Sequence, residues 1–180
     1  QHNMHDKRLI LEESLKMPFI VRYPKEIKAG TVNDRLGMNI DFGPTMMDYA
    51  DVKIPSSMQG VSLRPLFQGK TPEDWRAGIY YAYYARAPMH WGIRTQRYKL
   101  IHLPHTDEFE FYDLKFDPHE MRNVANNPDY RTTIGATEEQ LNALIKEVGI
   151  SKKYLIEHMK DNRERPPLSG VRRGPKKKNR

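Results

Sequence analysis

The spacing of apolar residues changes near residue 77, and this change divides the chain into two parts. In the first part, leucines set among charged residues predict a short amphipathic helix over residues 9–16, which ends before Pro18. The uninterrupted apolar run 19–21, followed by Tyr23, predicts a strand that is buried on both faces within a parallel or mixed sheet. The first part is therefore expected to combine helix and strand.

A second helix is predicted over residues 42–50, where the apolar side chains keep helical spacing. Asp41 precedes this helix as a candidate N-cap, and Pro44 falls in its first turn, where proline is tolerated. Residues 51–76 carry proline and glycine at short intervals and predict an irregular connector.

After Gly78 the pattern is that of short strands. Four apolar or aromatic runs follow one another at spacings of about ten residues and predict an antiparallel meander, over residues 79–84, 91–95, 98–102 and 109–114. A helix is then predicted with Thr137 as N-cap and a stop at Gly149, followed by a more polar helix over residues 151–163. A meander covered by a terminal helix is an α+β arrangement.

Composition narrows the class of protein. The chain has 180 residues, 38% of them hydrophobic, and a mean hydropathy of −0.81, which is low for a self-sufficient domain of this length. Its apolar runs are too short for a membrane span, and no signal peptide is visible. The absence of cysteine excludes a disulfide framework and a thiolate metal site.

The net charge of +7 is concentrated at one end of the chain. Residues 171–180 hold six lysines and arginines and no acidic residue, so the rest of the chain is nearly neutral. Residues 166–180 are therefore expected to be a disordered basic tail. The alternative is contact with an anionic polymer, such as a sulfated glycan, cell-surface material or nucleic acid, although nucleic acid is not the expected partner.

Candidate chemistry gathers at the start of the chain, where His2, Asp6 and Lys7 occur together with His5 and Arg8. Reactions at an anionic group need a fixed cation and a proton donor, and this cluster offers both residue types. The alternative interpretation is a solvated run of mixed charge.

Five motifs, in this order, resemble those of bacterial sulfatases of the alkaline-phosphatase-like superfamily. They are H-x-x-x-D-K-R-x-x-x-E-E-S-L-x-M-P-F-I-V-R-Y-P from His2, G-V-S-L-R-P-L from Gly60, D-W-R from Asp74, G-I-R-T-Q-R-Y-K-L-I-H from Gly92, and F-E-F-Y-D-L-K-F-D-P from Phe109. The resemblance implies the C-terminal part of an alkaline-phosphatase-like α/β fold, followed by a small subdomain with a four-stranded antiparallel sheet and a C-terminal helix. The implied division is a remnant of the large domain with its connector over residues 1–76, the small subdomain over 77–165 and the tail over 166–180.

The resemblance also implies features that this sequence does not contain. Sulfatases of this family use a formylglycine nucleophile, made from a C-x-P-S-R or S-x-P-S-R segment, and a calcium ion with acidic ligands. Neither the segment nor the ligands occur in this chain, so no metal ligand is assigned to it. We expect the chain to be the C-terminal part of a sulfatase, inactive without the N-terminal part of the same enzyme. The family implies a periplasmic or extracellular location.

The resemblance assigns roles to particular residues. Lys7 matches the lysine that contacts the sulfate group, and His2 matches a histidine that could hydrogen-bond the sulfate or serve the leaving group. A loop near His90 implies substrate binding by His90, Trp91 and Arg94, with Arg86 as a further candidate. The alternative for these last residues is a packed strand end.

The predicted function is therefore the C-terminal portion of a sulfuric ester hydrolase that acts on a sulfated carbohydrate. Three alternatives remain: a phosphate or phosphonate ester hydrolase on the same scaffold, a non-catalytic module that binds anionic polymers through its basic tail and its tyrosines, and a truncation product that functions only within a longer chain.

Overall fold

An antiparallel sheet forms the centre of the second part of the chain. The computed structural model describes residues 9–83 and 89–150, together with the single residues 153, 154 and 157. The strands are β1 (Gly78–Tyr83), β2 (His90–Thr95), β3 (Tyr98–Leu103) and β4 (Glu108–Asp113). They pair in the order β1-β2-β3-β4, each antiparallel to the next, so the predicted meander is confirmed.

One face of this sheet carries the main core. Ile93 lies opposite Leu100, and Leu100 lies opposite Phe111, so three apolar side chains form a row across β2, β3 and β4. The helix α4 (Arg131–Val148) covers the row with Leu141 and Ile145. Because successive side chains of a strand point to opposite faces, the residues between these belong to the other side of the sheet. That second face has its own small core, in which Ile10 packs with Ile101 and Tyr112.

The N-terminus of α4 differs from the prediction. The helix begins at Arg131, after a 3-10 turn over Pro128–Tyr130 in which the amide of Asp129 donates to the side chain of Asn127. Thr137 was predicted as the N-cap, but it is buried inside the helix, where its hydroxyl donates to the carbonyl of Thr133 at 2.8 Å. That bond satisfies the hydroxyl locally, so a threonine can stand in a helix interior. The C-terminus follows the prediction, since Gly149 adopts φ 74°.

The strand predicted at residues 19–21 is wrong: this stretch has no regular secondary structure and no sheet pairing. A strand needs a neighbour for its backbone hydrogen bonds, and the described part of the chain provides none here. Phe19 instead stacks on Phe42, with ring centroids 5.0 Å apart, and Tyr23 meets Tyr49 edge-on. Ile20 remains 91% exposed.

The first part also contains three short helices: α1 (Glu12–Leu15), α2 (Phe42–Tyr49) and α3 (Arg64–Phe67). Asp41 stands at the N-cap position of α2, but its side chain makes no capping bond. Its buried carboxylate accepts the amides of Met38 and Val61 at 2.7 and 3.0 Å and pairs with Arg76. The predicted connector is thus held to α2 and is partly helical. Within the described residues, no helix has the length and apolar character needed to cross a membrane.

Candidate functional site

The described chain begins at Leu9, two positions after Lys7. Lys7 and His2, the two predicted catalytic residues, lie outside the described residues, as does Arg86. The described residues Ile10, Leu11 and Glu12 follow Lys7 by three to five positions in sequence. Their contacts show how the segment that carries Lys7 joins the folded domain.

Ile10 is held by both its backbone and its side chain. Its amide donates to Nε2 of His90 at 3.2 Å, across 80 residues of sequence. Its side chain is fully buried against Ile101 and Tyr112. A nitrogen that accepts a hydrogen bond carries no proton, so in this contact Nε2 of His90 is the acceptor.

The imidazole of His90 is itself enclosed. It lies between the rings of Tyr81 and Tyr83, whose centroids are 5.9 and 5.7 Å away, and it is fully buried. The two tyrosines occupy alternate positions on β1, so both face the same side of the sheet as His90. Two of the tyrosines that could be interpreted as a binding patch, Tyr81 and Tyr83, therefore flank a buried histidine.

Glu12, the first residue of α1, is the centre of an ion-paired cluster. Its carboxylate accepts from Nε and Nη2 of Arg94 at 3.2 and 3.0 Å, in the bidentate geometry that arginine favours. The same carboxylate lies 2.9 Å from Nζ of Lys99. Its backbone amide donates to Oε2 of Glu120 at 2.6 Å, and Oε1 of Glu120 lies 2.5 Å from Nζ of Lys99.

The two carboxylates of this cluster have different proton affinities. Burial alone would raise the pKa of Glu12, but hydrogen bonds and positive charges from Arg94 and Lys99 outweigh burial and lower it to about 2. Burial raises the pKa of Glu120, and the charge of Lys99 offsets this only in part. The difference has a simple cause: Glu12 has two cations beside it, whereas Glu120 has one.

We call Glu12, Arg94, Lys99 and Glu120 the anchor cluster. Its two positive and two negative charges balance, and Lys99 and Glu120 are fully buried. A buried ion pair that is complete avoids the large cost of leaving a single charge without a partner in a low-dielectric interior. Because its charges are already matched, the cluster can fix a backbone but offers no free cation to a substrate.

The three residues predicted to bind substrate fall on different faces of the sheet. His90 and Arg94 lie on the face that holds Ile10 and Glu12, and both contact that segment. Trp91 lies on the opposite face, 1% exposed within the main core, where its indole meets His102 edge-on. Stacking on a sugar would require an open indole face, which burial removes here. Substrate contact by these residues stays a prediction.

Sequence reasoning missed three members of the anchor cluster: Glu12, Lys99 and Glu120. Each lies in or beside a motif that carries the family resemblance, namely E-E-S-L, R-Y-K-L-I and the stretch after D-P. Charged residues inside motifs were a possible signal, but their pairing could not be inferred, since Glu12 and Glu120 are 108 residues apart. A further signal is structural: Glu120 adopts φ 54°, which is uncommon for a residue with a side chain.

A cavity of about 500 Å³ lies between β4 and α4. Acidic side chains dominate its charged lining: Asp107, Glu108, Glu110 and Glu138. Like charges repel, so this cavity does not suit an anionic sulfate ester.

Among the described residues, no group of three or more His, Cys, Asp or Glu side chains is arranged to hold a metal ion.

The sequence is similar to known proteins over most of its length. The profile of the family described as N-sulphoglucosamine sulphohydrolase, C-terminal, matches residues 1–147. An N-acetylglucosamine-6-O-sulfatase of Bacteroides thetaiotaomicron is 41% identical, over 96% of this chain and 31% of that protein. An ulvan-active sulfatase of Formosa agariphila is 32% identical, over 73% of this chain and 33% of that protein. The chain thus spans about a third of the length of these relatives.

Solved structures resemble this one as well. A protein in complex with its substrate D-glucosamine-2-N,6-O-disulfate has a TM-score of 0.66 and 41% identity, over 79% of this chain and 28% of that chain. A phosphonate monoester hydrolase from Silicibacter pomeroyi has a TM-score of 0.59 over 67% of this chain and 27% of that chain, and at 23% identity it shows the fold alone. The predicted fold class is confirmed: an alkaline-phosphatase-like C-terminal part with a four-stranded antiparallel sheet and a helix.

Proposed function

The chain belongs to the family described as N-sulphoglucosamine sulphohydrolase, C-terminal, and from this premise we propose that it is the C-terminal portion of a sulfuric ester hydrolase. The longer protein is called the parent enzyme below. The observation that carries the proposal is the family match over residues 1–147, which includes the segment of Lys7 and every member of the anchor cluster.

The proposed substrate is a sulfated carbohydrate, and more specifically a glucosamine that carries a 6-O-sulfate. The relative from Bacteroides thetaiotaomicron is named an N-acetylglucosamine-6-O-sulfatase, and the solved neighbour holds a 6-O-sulfated glucosamine. Both are 41% identical to this chain, which supports a related substrate class.

Lys7 and His2 are the residues of this chain that we propose to act on the sulfate ester. Cleavage spreads negative charge over the sulfuryl oxygens, and a fixed ammonium beside them stabilises the transition state more than the ground state. An imidazole with a pKa near neutrality can donate a proton to the departing oxygen. The formylglycine nucleophile and the calcium ion implied by the family are proposed to lie in the rest of the parent enzyme.

The proposed partner is the N-terminal part of the same enzyme. Three apolar side chains between α1 and Pro24 are open to solvent in this chain: Met17, Phe19 and Ile20. Apolar surface of this kind is normally covered by another part of a protein. A periplasmic or extracellular location is part of the same proposal.

The experiment is a comparison of ester substrates with the parent enzyme and two lysine variants. We expect hydrolysis of N-acetylglucosamine-6-O-sulfate, and we expect Lys7→Ala to lower kcat/KM by about 100-fold, the effect of losing one preorganised electrostatic contact. Lys16→Ala removes an exposed lysine at the end of α1 and should leave kcat/KM unchanged.

Two results would contradict the proposal. A fall of less than about threefold in Lys7→Ala would remove Lys7 from the reaction, since one such contact is worth far more. Faster hydrolysis of a phosphonate monoester than of any sulfate ester would favour the alternative chemistry on the same fold. Binding of anionic polymers by residues 166–180 stays a prediction, because these residues lie outside the described chain.

A further inference from the structure

We propose that the anchor cluster, together with His90, positions the backbone that carries Lys7, so that His90 and Arg94 act through Lys7 and not by direct contact with substrate. This inference rests on the proposed function. It assigns a positioning role to His90 and Arg94, which the resemblance linked to substrate binding. Lys99 and Glu120 share this role.

The basic side chains near the segment that follows Lys7 lie close together on one face of the sheet. His90 and Arg94 lie on one face of β2, and Arg94 stands opposite Lys99 on β3. Gly92 lies between them, where a Cβ atom would come within 2.3 Å of the carbonyl oxygen of Leu100. The central strands therefore present three basic side chains at one place, with no side chain between His90 and Arg94.

The cations of the cluster are already paired with carboxylates of the same chain. Arg94 gives its bidentate contact to Glu12, and Lys99 lies between Glu12 and Glu120. A sulfate group would have to displace two carboxylates from a site that is closed to solvent around Lys99. Desolvated carboxylates left without their cations would repel that anion. The arrangement fits an internal anchor better than a substrate subsite.

Residues 10–12 are restrained at four points. Two backbone amides are held, that of Ile10 by His90 and that of Glu12 by Glu120. The carboxylate of Glu12 and the apolar side chain of Ile10 add two more attachments. Lys7 precedes Ile10 by three residues. A displacement of about 1 Å at a reacting group can cost a large factor in rate, so restraint this close to Lys7 bears on catalysis.

The test is a double-mutant cycle in the parent enzyme with 4-nitrophenyl sulfate as the probe. Arg94→Met removes the bidentate contact to Glu12, and we expect kcat to fall by about tenfold with little change in KM, because geometry and not substrate contact is lost. In a Lys7→Ala background the same substitution should cost less than about twofold, since groups that act as a unit are not additive. Arg94→Lys should restore part of the rate.

Arg97→Met is the matched control. Arg97 also makes a bidentate pair, with Asp113 at 2.9 and 2.7 Å, although its side chain is 41% exposed against 18% for Arg94. Asp113 has further contacts with Tyr130 and the amide of Lys115. This variant should lose some thermal stability and keep wild-type kcat below its unfolding temperature. If Arg94 contributed only to stability, Arg94→Met would also keep wild-type kcat below its unfolding temperature.

The experiment distinguishes a failure of the proposed function from a failure of the positioning role. Failure of the wild-type parent enzyme to hydrolyse any sulfate ester would overturn the proposed function. Wild-type activity in Lys7→Ala would instead remove Lys7 from the reaction, and the positioning role with it. A large loss in Lys7→Ala, with an Arg94→Met effect of the same size in both backgrounds, would overturn the positioning role alone. If Arg94→Met does not fold, the cycle is run with the isosteric Glu12→Gln. We again expect the substitution to cost less in the Lys7→Ala background than in the wild type. An equal cost in both backgrounds would refute the inference.

Discussion

The ammonium of Lys99 lies 2.5 Å from a carboxylate oxygen of Glu120, and both side chains are fully buried between the sheet and the segment that follows Lys7. The pair does not stand alone, because Glu12 and Arg94 complete it with one further negative and one further positive charge. An electrically balanced cluster therefore joins the start of the described chain to a residue that follows the sheet, since Glu12 and Glu120 are 108 residues apart.

Removing the lysine should be costly for folding. Lys99→Met keeps the length of the side chain but leaves Glu120 buried beside no cation, so we expect the free energy of unfolding of the parent enzyme to fall by about 3–5 kcal/mol. Urea denaturation measures the change. The double variant Lys99→Met/Glu120→Leu should recover part of the loss, since it removes the isolated charge as well. No recovery would mean that packing around Lys99, and not its charge, stabilises the fold.

The stabilising effect of Glu12 should depend on pH in a defined window. Its pKa is lowered from an ordinary value of 4.5 to about 2, so the folded state binds this proton less tightly than the unfolded state. A carboxylate of this kind stabilises the fold above about pH 4.5 and loses that effect as pH falls towards 2. The stability difference between wild type and Glu12→Gln should therefore be largest near neutrality and shrink with acid.

Urea denaturation at a series of pH values between about 3 and 7 measures this difference. The measurement must compare wild type with Glu12→Gln and not wild type alone, because Glu120 acts in the opposite sense. Its raised pKa means that its own protonation favours the folded state as pH falls. A wild-type minus variant difference that does not change with pH would show that Glu12 is not held as a carboxylate by Arg94 and Lys99.

Gly60 is expected to be intolerant of any side chain. A Cβ atom at this position would lie 2.1 Å from the carbonyl oxygen of Ile40 and 2.6 Å from its carbon, which is backbone and cannot rotate away. We expect Gly60→Ala to destabilise the protein by about 1–3 kcal/mol through forced backbone movement. Gly37→Ala is the control, because its Cβ would meet Leu63 at an ordinary 3.5 Å. Equal thermal unfolding temperatures for the two variants would contradict the expectation.

Local patterns predicted the meander well because its signals are local. Each strand alternates or clusters apolar residues, and the strands are separated by a proline-containing stretch or by a short polar break. The end of α4 was equally local: Gly149 adopts the left-handed conformation that glycine tolerates at a helix C-terminus. The strand predicted over residues 19–21 was wrong because forming a strand does not depend on local sequence alone. The pattern of a buried strand says nothing about whether a partner strand is present.

The anchor cluster could not be predicted from pattern, since it depends on pairs that are far apart in sequence. Arg94 and Glu12 are separated by 82 residues, and no local rule chooses Glu12 over Glu13 as the partner. The family resemblance identified the motifs that contain these residues and linked Arg94 to substrate. Only the structure shows that its guanidinium is matched by a carboxylate of the same chain.

Asp41 should be far more important for stability than Asp48, although both are aspartates near α2 that pair with an arginine. Asp41 is fully buried and holds Met38, Val61 and Arg76 together. Asp41→Asn leaves Arg76 without its counter-charge and should cost about 3–5 kcal/mol. Asp48, whose ion pair with Arg64 is partly open to solvent, should cost no more than about 1 kcal/mol as Asp48→Asn. Thermal unfolding of both variants tests this, and a similar loss in the two would show that burial does not set the strength of these pairs.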